Sequence, residues 1–167
     1  IVYNTNGYEN IETLKMLEGY IDIYLPDLKY AEDDLGKKYS KIDNYFEIAT
    51  KAIKEMEKQV GIAELNEKGV MKKGMIVRHL VLPGHLENSK KVLKWMNENL
   101  NKEIYISVMA QYFPTYKAKT EEYSEINRKL TTAEWEEIEN YIDGLDFENG
   151  FIQELGEHEE EYVPKWW

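Results

Sequence analysis

The sequence of 167 residues contains no cysteine. It therefore forms no disulfide, offers no thiolate nucleophile, and supplies no cysteine ligand to a zinc ion or an iron–sulfur cluster. No apolar run approaches the roughly 20 residues of a membrane span, and no signal-peptide pattern is present. Since nothing in the sequence indicates an oxidising compartment or a membrane, we expect a cytoplasmic protein.

Common signatures of catalytic sites are also missing. The sequence has no glycine-rich phosphate loop of either standard pattern and no G-x-S-x-G elbow. His79 and His85 have no third ligand at a metal-binding spacing, so no metal site is predicted. His79 lies in an apolar run, where a histidine is more often a satisfied core residue than a ligand. His85 follows Pro83 and Gly84 in a loop, from which it could reach a substrate.

Basic side chains are few, with 21 against 32 acidic ones, and the net charge is -11. This charge argues against a nucleic-acid partner. Residues 1–129 carry 20 side chains of each sign, so the whole excess lies in residues 130–167. We interpret that excess as a solvated helix face followed by an acidic and aromatic tail at 156–167. The alternative is that this acidic segment, which ends in Trp166 and Trp167, contacts a partner.

Short apolar runs alternate with stretches of helical periodicity along the chain. Strands are predicted at residues 1–4, 20–25, 75–82, 104–109 and 151–152. Helices are predicted at residues 10–18, 43–60, 89–100 and 131–142. Asn10 and Ser89 are predicted N-caps, and Thr131 and Glu134 a capping box. This order predicts parallel strands joined by right-handed crossovers, and therefore an α/β fold. Four or five βα units are too few for an eight-stranded barrel, so we expect an open sheet or part of a barrel within one unit, 1–155.

The first predicted strand begins at Ile1, without a methionine, which suggests that the chain is cut from a longer one. A strand at that position has lost its pairing neighbour, and unpaired sheet edges promote self-association. We therefore expect a homo-oligomer, formed through the exposed sheet edge or by burial of the inner face.

Polar residues follow the predicted strands, at the edge where parallel sheets bind ligands. Asp27 and Lys29 are two residues apart, so both point to one face of an extended segment. Together they would bind a zwitterion or a cation-bridged carboxylate, or would only pair with each other. Arg78 interrupts an apolar strand, and a buried arginine needs a partner such as Asp27, a backbone carbonyl or an anionic ligand. The alternative for Arg78 is a face exposed at the sheet edge.

Four segments in this order resemble the C-terminal part of radical S-adenosylmethionine (SAM) proteins. They are NTNG at residues 4–7, DIYLPDLK at 22–29, IVRHLVLPG at 76–84 and QYFP at 111–114. The resemblance runs from residue 1 to about residue 153 and is closest to the pyruvate formate-lyase activating enzymes. It implies a partial (β/α)6 TIM-like barrel, of which this chain is the later part.

The resemblance also implies an oxidoreductase-type chemistry. In this family a [4Fe-4S] cluster held by a CxxxCxxC loop binds SAM and cleaves it reductively to a 5'-deoxyadenosyl radical. In the activating enzymes that radical abstracts hydrogen from a glycine, so a glycyl-radical enzyme or another protein is the implied substrate. Since this chain lacks cysteine, it is expected to be inactive alone and to bind neither cofactor by itself.

Cofactor-binding roles follow from the resemblance residue by residue. Asp27 and Thr5 match positions that help to hold a cation or the SAM carboxylate. Lys29 matches a SAM-contacting lysine, and Arg78 matches an arginine of the barrel interior near SAM. Asn4 stands where the activating enzymes have aspartate, which weakens the expectation of a cation site.

The position of a family histidine that contacts the adenosine is taken by Gln111 or Tyr112 in this chain.

Two other interpretations remain open. In the first, the chain is a non-enzymatic α/β binding or assembly module that uses its acidic C-terminal segment. In the second, it is a fragment of a different α/β enzyme whose phosphate-binding half is missing.

Overall fold

A computed structural model of the protein describes residues 1–155. The predicted tail at 156–167 therefore lies outside the described residues. The strands are β1 (Val2–Thr5), β2 (Ile23–Pro26), β3 (Glu64–Leu65), β4 (Met71–Leu80), β5 (Tyr105–Met109) and β6 (Asn149–Ile152). The α-helices are α1 (Ile11–Met16), α2 (Asp33–Leu35), α3 (Tyr45–Val60), α4 (Leu86–Asn99) and α5 (Thr132–Asp143). A π-helix spans Gly36–Ser40, and two 3-10 helices span Tyr116–Lys119 and Glu121–Ile126. None of the helices in this part of the chain is long and apolar enough to cross a membrane.

Five strands form a parallel sheet in the order β1-β2-β4-β5-β6. The two-residue strand β3 pairs with β4 in the antiparallel direction and lies off that path. Each pair of neighbouring parallel strands is connected through a helix, as parallel pairing requires. The α/β fold predicted from the sequence is therefore confirmed, with parallel βα repeats arranged as in part of a barrel. The edge strands of the described sheet are β1 and β6.

One face of the sheet carries the hydrophobic core. Tyr24, Val77 and Val108 point to this face and are fully buried, together with Ile53 of α3 and Leu93 of α4. The alternate side chains point the other way and remain partly exposed. We call their surface the open face; its apolar members are Ile23, Leu25, Ile76, Leu80, Tyr105 and Met109. Parallel sheets are normally covered on both faces, so the open face is unusual for a sheet of this type.

Capping interactions predicted from the sequence begin two of the helices. The Asn10 side chain accepts hydrogen bonds from the backbone N–H groups of Glu12 and Thr13 in the first turn of α1. Thr131 and Glu134 form a reciprocal capping box at the start of α5. Such caps contribute about 1 kcal/mol each, because they satisfy backbone donors that have no partner inside the helix.

His79 is a core residue, as its apolar surroundings predict. Its Nδ1 lies 2.7 Å from the carbonyl oxygen of Leu28, and its Nε2 lies 2.9 Å from the Ser89 hydroxyl. Because a carbonyl only accepts, Nδ1 carries the proton and Nε2 accepts from Ser89. The predicted cap at Ser89 is wrong: α4 begins at Leu86, and Ser89 lies inside the helix, fully buried beside His79.

We expect His79 to make the protein less stable in acid. Burial lowers the pKa of His79 to about 4 from its ordinary value of 6.5, although the Leu28 hydrogen bond opposes the shift. Below pH 6.5 the unfolded chain binds a proton that the folded chain does not, so this contribution to stability is lost as the pH falls towards 4. Between pH 7 and pH 5 the loss is about 2 kcal/mol. Urea unfolding at both pH values should show a smaller fall for His79→Gln than for the parent, and equal falls would contradict this assignment.

Candidate functional site

A charged cluster lies at the carboxyl ends of β1, β2 and β4. Asn4 belongs to β1, Asp27 and Lys29 follow β2, and Arg78 lies near the end of β4. Asp27 and Arg78 pair as an isolated parallel bridge, so their side chains leave the backbone on the same face. We call these four residues the Arg78 cluster. The structure thus brings together four of the six positions to which the resemblance assigns cofactor binding.

Arg78 makes the central contacts of the cluster. Its Nη2 donates to Asn4 Oδ1 at 2.6 Å and lies 2.6 Å from Asp27 Oδ1. The Lys29 Nζ lies 3.8 Å from Asp27 Oδ2. Two cationic side chains therefore share one carboxylate. The surplus positive charge favours an anionic group as the next neighbour.

Two buried polar atoms of the cluster, Arg78 Nε and Asp27 Oδ1, have no hydrogen-bond partner within residues 1–155. Asp27 Oδ1 is near enough to Arg78 Nη2 for an ion pair, but the two groups are not aligned as a hydrogen bond. A buried polar atom without a partner costs about 1–3 kcal/mol. The side chains of Arg78 and Asp27 are still 24% and 22% exposed, so a ligand can approach them from solvent. The pair offers it the donor Arg78 Nε beside an ion-paired carboxylate.

Tyr45 of α3 holds the backbone beneath the cluster. Its hydroxyl lies 2.9 Å from the Asn6 carbonyl oxygen and 3.0 Å from that of Asp27, and it accepts the backbone N–H of Lys29 at 3.0 Å. One side chain therefore joins the loop after β1 to the loop after β2.

Thr5 lies beside the Arg78 cluster rather than in it. Because successive strand residues point to opposite faces, Thr5 points away from the face of Asn4, and it is buried. Its hydroxyl donates to the Glu9 carboxylate and accepts the backbone N–H of Gly7 at 3.2 Å. Thr5 thus shapes the loop between β1 and α1.

Gln111 is not joined to the Arg78 cluster. It follows β5, is exposed, and makes hydrogen bonds with Gln153 through its backbone N–H and its side-chain oxygen. Its amide nitrogen lies 3.6 Å from the sulfur of Met109. These contacts place the Gln111 side chain on the β5 and β6 side of the sheet.

Two residues that support the site, Tyr45 and Glu9, were not predicted from the sequence. Tyr45 could have been predicted, because it lies four residues before Ala49 and therefore on the same face of the predicted helix. The Glu9 carboxylate accepts hydrogen bonds from the hydroxyls of Thr5 and Tyr3. Glu9 could not have been predicted, because it follows a turn and belongs to no periodic pattern.

The donor groups of the site suit a charged organic ligand better than a metal ion. Within residues 1–155 no group of three His, Asp or Glu side chains could hold a metal ion, and the sequence contributes no thiolate. Arginine and lysine beside a single carboxylate instead match a carboxylate or zwitterion.

Comparison with known proteins identifies one uncharacterized relative. Uncharacterized protein MJ0674 of Methanocaldococcus jannaschii is 35% identical over 144 residues, which make up 86% of this chain. The same residues make up 37% of the relative, so the chain spans little more than a third of the length of the protein that it matches. No protein-family model matches the sequence.

We expect Gly7 to be required for the backbone of the site. Gly7 has φ of +81°, and a Cβ there would lie 2.2 Å from the Asp27 carbonyl oxygen. Gly19 has a similar φ of +84° but no atom within 4 Å of the equivalent position. Both alanine substitutions incur the left-handed backbone cost of about 1 kcal/mol, and Gly7→Ala also displaces the Asp27 backbone. Urea unfolding should therefore show a clearly larger loss for Gly7→Ala than for Gly19→Ala, whereas equal losses would mean that the loop moves away at no cost.

Proposed function

We propose that this chain is the later part of a radical SAM barrel similar to the pyruvate formate-lyase activating enzymes. In this proposal the Arg78 cluster binds the amino-acid end of SAM. The observation that carries it is Arg78 Nε, a buried donor without a hydrogen-bond partner within residues 1–155, beside the Asp27 carboxylate that two cationic side chains share. Both groups lie at the strand ends where the resemblance places SAM.

The chemistry of the cluster fits the amino-acid end of SAM. The SAM carboxylate would accept from Arg78 and Lys29, and its ammonium group would donate to Asp27 Oδ1. Asn4 stands where the activating enzymes have aspartate, and its oxygen already accepts from Arg78 at 2.6 Å. Because asparagine replaces that aspartate, the site has one negative charge fewer, which favours binding of a ligand carboxylate over binding of a cation.

An iron–sulfur cluster does not fit the residues of this chain, because no cysteine is present to ligate it. No step of the proposal runs through such a cluster, which would belong to another part of a whole protein. Bound SAM, once reduced, supplies an organic radical that abstracts hydrogen. This chain would bind SAM and orient it, in a cytoplasmic protein whose substrate is a glycyl-radical enzyme or another protein.

The proposal predicts that Arg78 is required for SAM cleavage by the protein expressed from the complete gene. After anaerobic reconstitution with iron and sulfide, that protein should absorb as an iron–sulfur protein and convert SAM to 5'-deoxyadenosine, whereas this chain should do neither. Arg78→Gln should lower the yield by roughly tenfold or more, because one charged hydrogen bond is worth about 1.5–3 kcal/mol. Product is measured by chromatography.

The matched control is Arg128→Gln. Arg128 is bound to Glu134 at the start of α5 and makes no contact with the Arg78 cluster in the described contacts. Its substitution should leave the yield of 5'-deoxyadenosine close to that of the parent. If the protein from the complete gene takes up no cluster, the resemblance extends to the fold alone, and the non-enzymatic binding module becomes the better interpretation.

We also propose that this chain alone self-associates through its sheet edges. Val2 on β1 is 56% exposed and Phe151 on β6 is 57% exposed, so each edge strand presents apolar surface. Lysine on an edge strand opposes edge-to-edge pairing.

The double variant Val2→Lys, Phe151→Lys should therefore sediment as a smaller species than the parent. Met16→Lys is the control, because Met16 is also exposed, at 79%, but lies on α1 rather than on an edge. Sedimentation velocity measures both variants. A monomeric parent, or an unchanged double variant, would contradict the proposed contact.

A further inference from the structure

The sequence is rich in tyrosine, with 13 in 167 residues, and five of these rings form a continuous series. The neighbouring centroids are 6.2 Å apart for Tyr8 and Tyr45, 5.2 Å for Tyr45 and Tyr30, 6.3 Å for Tyr30 and Tyr39, and 5.9 Å for Tyr39 and Tyr123. These are ordinary separations for aromatic rings in contact. We call the five residues the tyrosine series. It starts at the candidate site, since Tyr45 bonds to the backbone of Asp27 and Lys29.

Tyr39 is the member of the series with the strongest hydrogen-bonding surroundings. Its hydroxyl donates to Glu125 Oε1 at 2.6 Å and lies 2.6 Å from His85 Nε2. Lys38 pairs with the same Glu125 oxygen at 2.6 Å. Because the single hydroxyl proton goes to the carboxylate, the imidazole Nε2 donates to Tyr39. Tyr39 itself is presented by the π-helix Gly36–Ser40, a form of helix found frequently at functional sites.

The other hydroxyls of the series have poorer proton acceptors. The Tyr45 hydroxyl faces backbone carbonyls, and the Tyr30 hydroxyl lies 3.1 Å from the Ser40 hydroxyl. In the described part of the chain no carboxylate accepts a hydrogen bond from the Tyr123 hydroxyl, and the Lys41 ammonium lies 5.6 Å from its ring centroid. An oxidised phenol is a strong acid and remains as a neutral radical only where a base takes its proton. Among these rings the hydrogen-bonded carboxylate singles out Tyr39.

We propose that Tyr39 is a redox-active residue. An oxidant at the candidate site takes an electron from Tyr39 through the tyrosine series, so the radical remains on Tyr39. The oxidant is a one-electron acceptor stronger than the phenoxyl radical, such as an organic radical or a high-potential metal complex. It is reduced by one electron, and Tyr39 is oxidised by one electron. The O–H bond of Tyr39 breaks, its proton passes to Glu125, and the products are the reduced oxidant, a neutral phenoxyl radical and a glutamic acid.

The protonation states of the two partners agree with this step. Burial and then the Glu125 contact raise the pKa of the Tyr39 hydroxyl, so the phenol keeps its proton until it is oxidised. The Lys38 and Tyr39 hydrogen bonds hold the pKa of the Glu125 carboxyl at about 2, so Glu125 is an ionised acceptor at neutral pH. Lys38 also lies 5.6 Å from the Tyr39 ring centroid, which disfavours a cationic radical and couples loss of the electron to loss of the proton.

Because the sequence has no cysteine, one introduced cysteine gives a unique attachment point for a photo-oxidant. Asn6 is exposed and its carbonyl accepts from Tyr45, so a ruthenium trisbipyridine label on Asn6→Cys starts oxidation at the near end of the series. A flash with a sacrificial quencher generates Ru(III), and freeze-trapped electron paramagnetic resonance detects tyrosyl radical. We expect one long-lived radical in the labelled chain, formed more slowly in deuterium oxide.

Tyr39→Phe retains the ring and should abolish the long-lived radical. Glu125→Gln should shorten its lifetime, because the carboxylate acceptor is gone. The control is Tyr20→Phe, which alters an exposed tyrosine outside the series and should leave the signal unchanged. Circular dichroism checks that each variant is folded. A signal of the same yield and lifetime in folded Tyr39→Phe would overturn the proposal. Since the experiment uses neither SAM nor a cluster, its result is independent of the proposed function.

Discussion

The Arg78 side chain joins three strands where they end, through its ion pair with Asp27 and its hydrogen bond to Asn4. A partly buried guanidinium is unfavourable without partners, and here they come from both strands on one side of β4: Asp27 after β2 and Asn4 on β1. A backbone hydrogen bond also connects the segment after β2 to β4, because the Leu28 N–H donates to the Arg78 carbonyl at 2.8 Å. The close approach of Gly7 to Asp27 and the hydroxyl of Tyr45 then depend on the position of this strand end. The site is thus held firmly, yet the Arg78 Nε donor has no hydrogen-bond partner within residues 1–155.

Much of this arrangement follows from local sequence patterns. The caps at Asn10 and Thr131 use side chains within three residues of the groups they bind, so they are visible without any tertiary information. The parallel sheet follows from the alternation of apolar runs and helical periods. Parallel strands bring their carboxyl ends to one edge, and this rule alone places Asp27, Lys29 and Arg78 together. The alternation of side chains along a strand also means that Asn4 and Thr5 could not both face the cluster.

Contacts between distant segments could not be predicted in this way. The burial of Ser89 depends on His79, which reaches it from another element, and so a residue typical of a helix cap lies inside α4. The π-helix that carries Tyr39 follows from no periodicity in its own residues. Gln111 lies at a strand end like the others, but Gln153, which directly follows β6, is its nearer partner. In each case the decisive partner lies far away along the chain.

The open face and the two sheet edges are exposed in this chain, and they could be covered in two ways that compete with each other. Further βα units added beyond β1 or β6 would pair those edges and enclose the open face, as the proposed barrel requires. A second copy of the chain would pair the same edges and cover part of the same face. Since Val2 and Phe151 cannot be buried in both ways at once, self-association and barrel completion exclude each other at those strands. Under the proposed function the Arg78 cluster would be enclosed only in the first arrangement, and the chain alone would keep the geometry of the cluster without the exclusion of water.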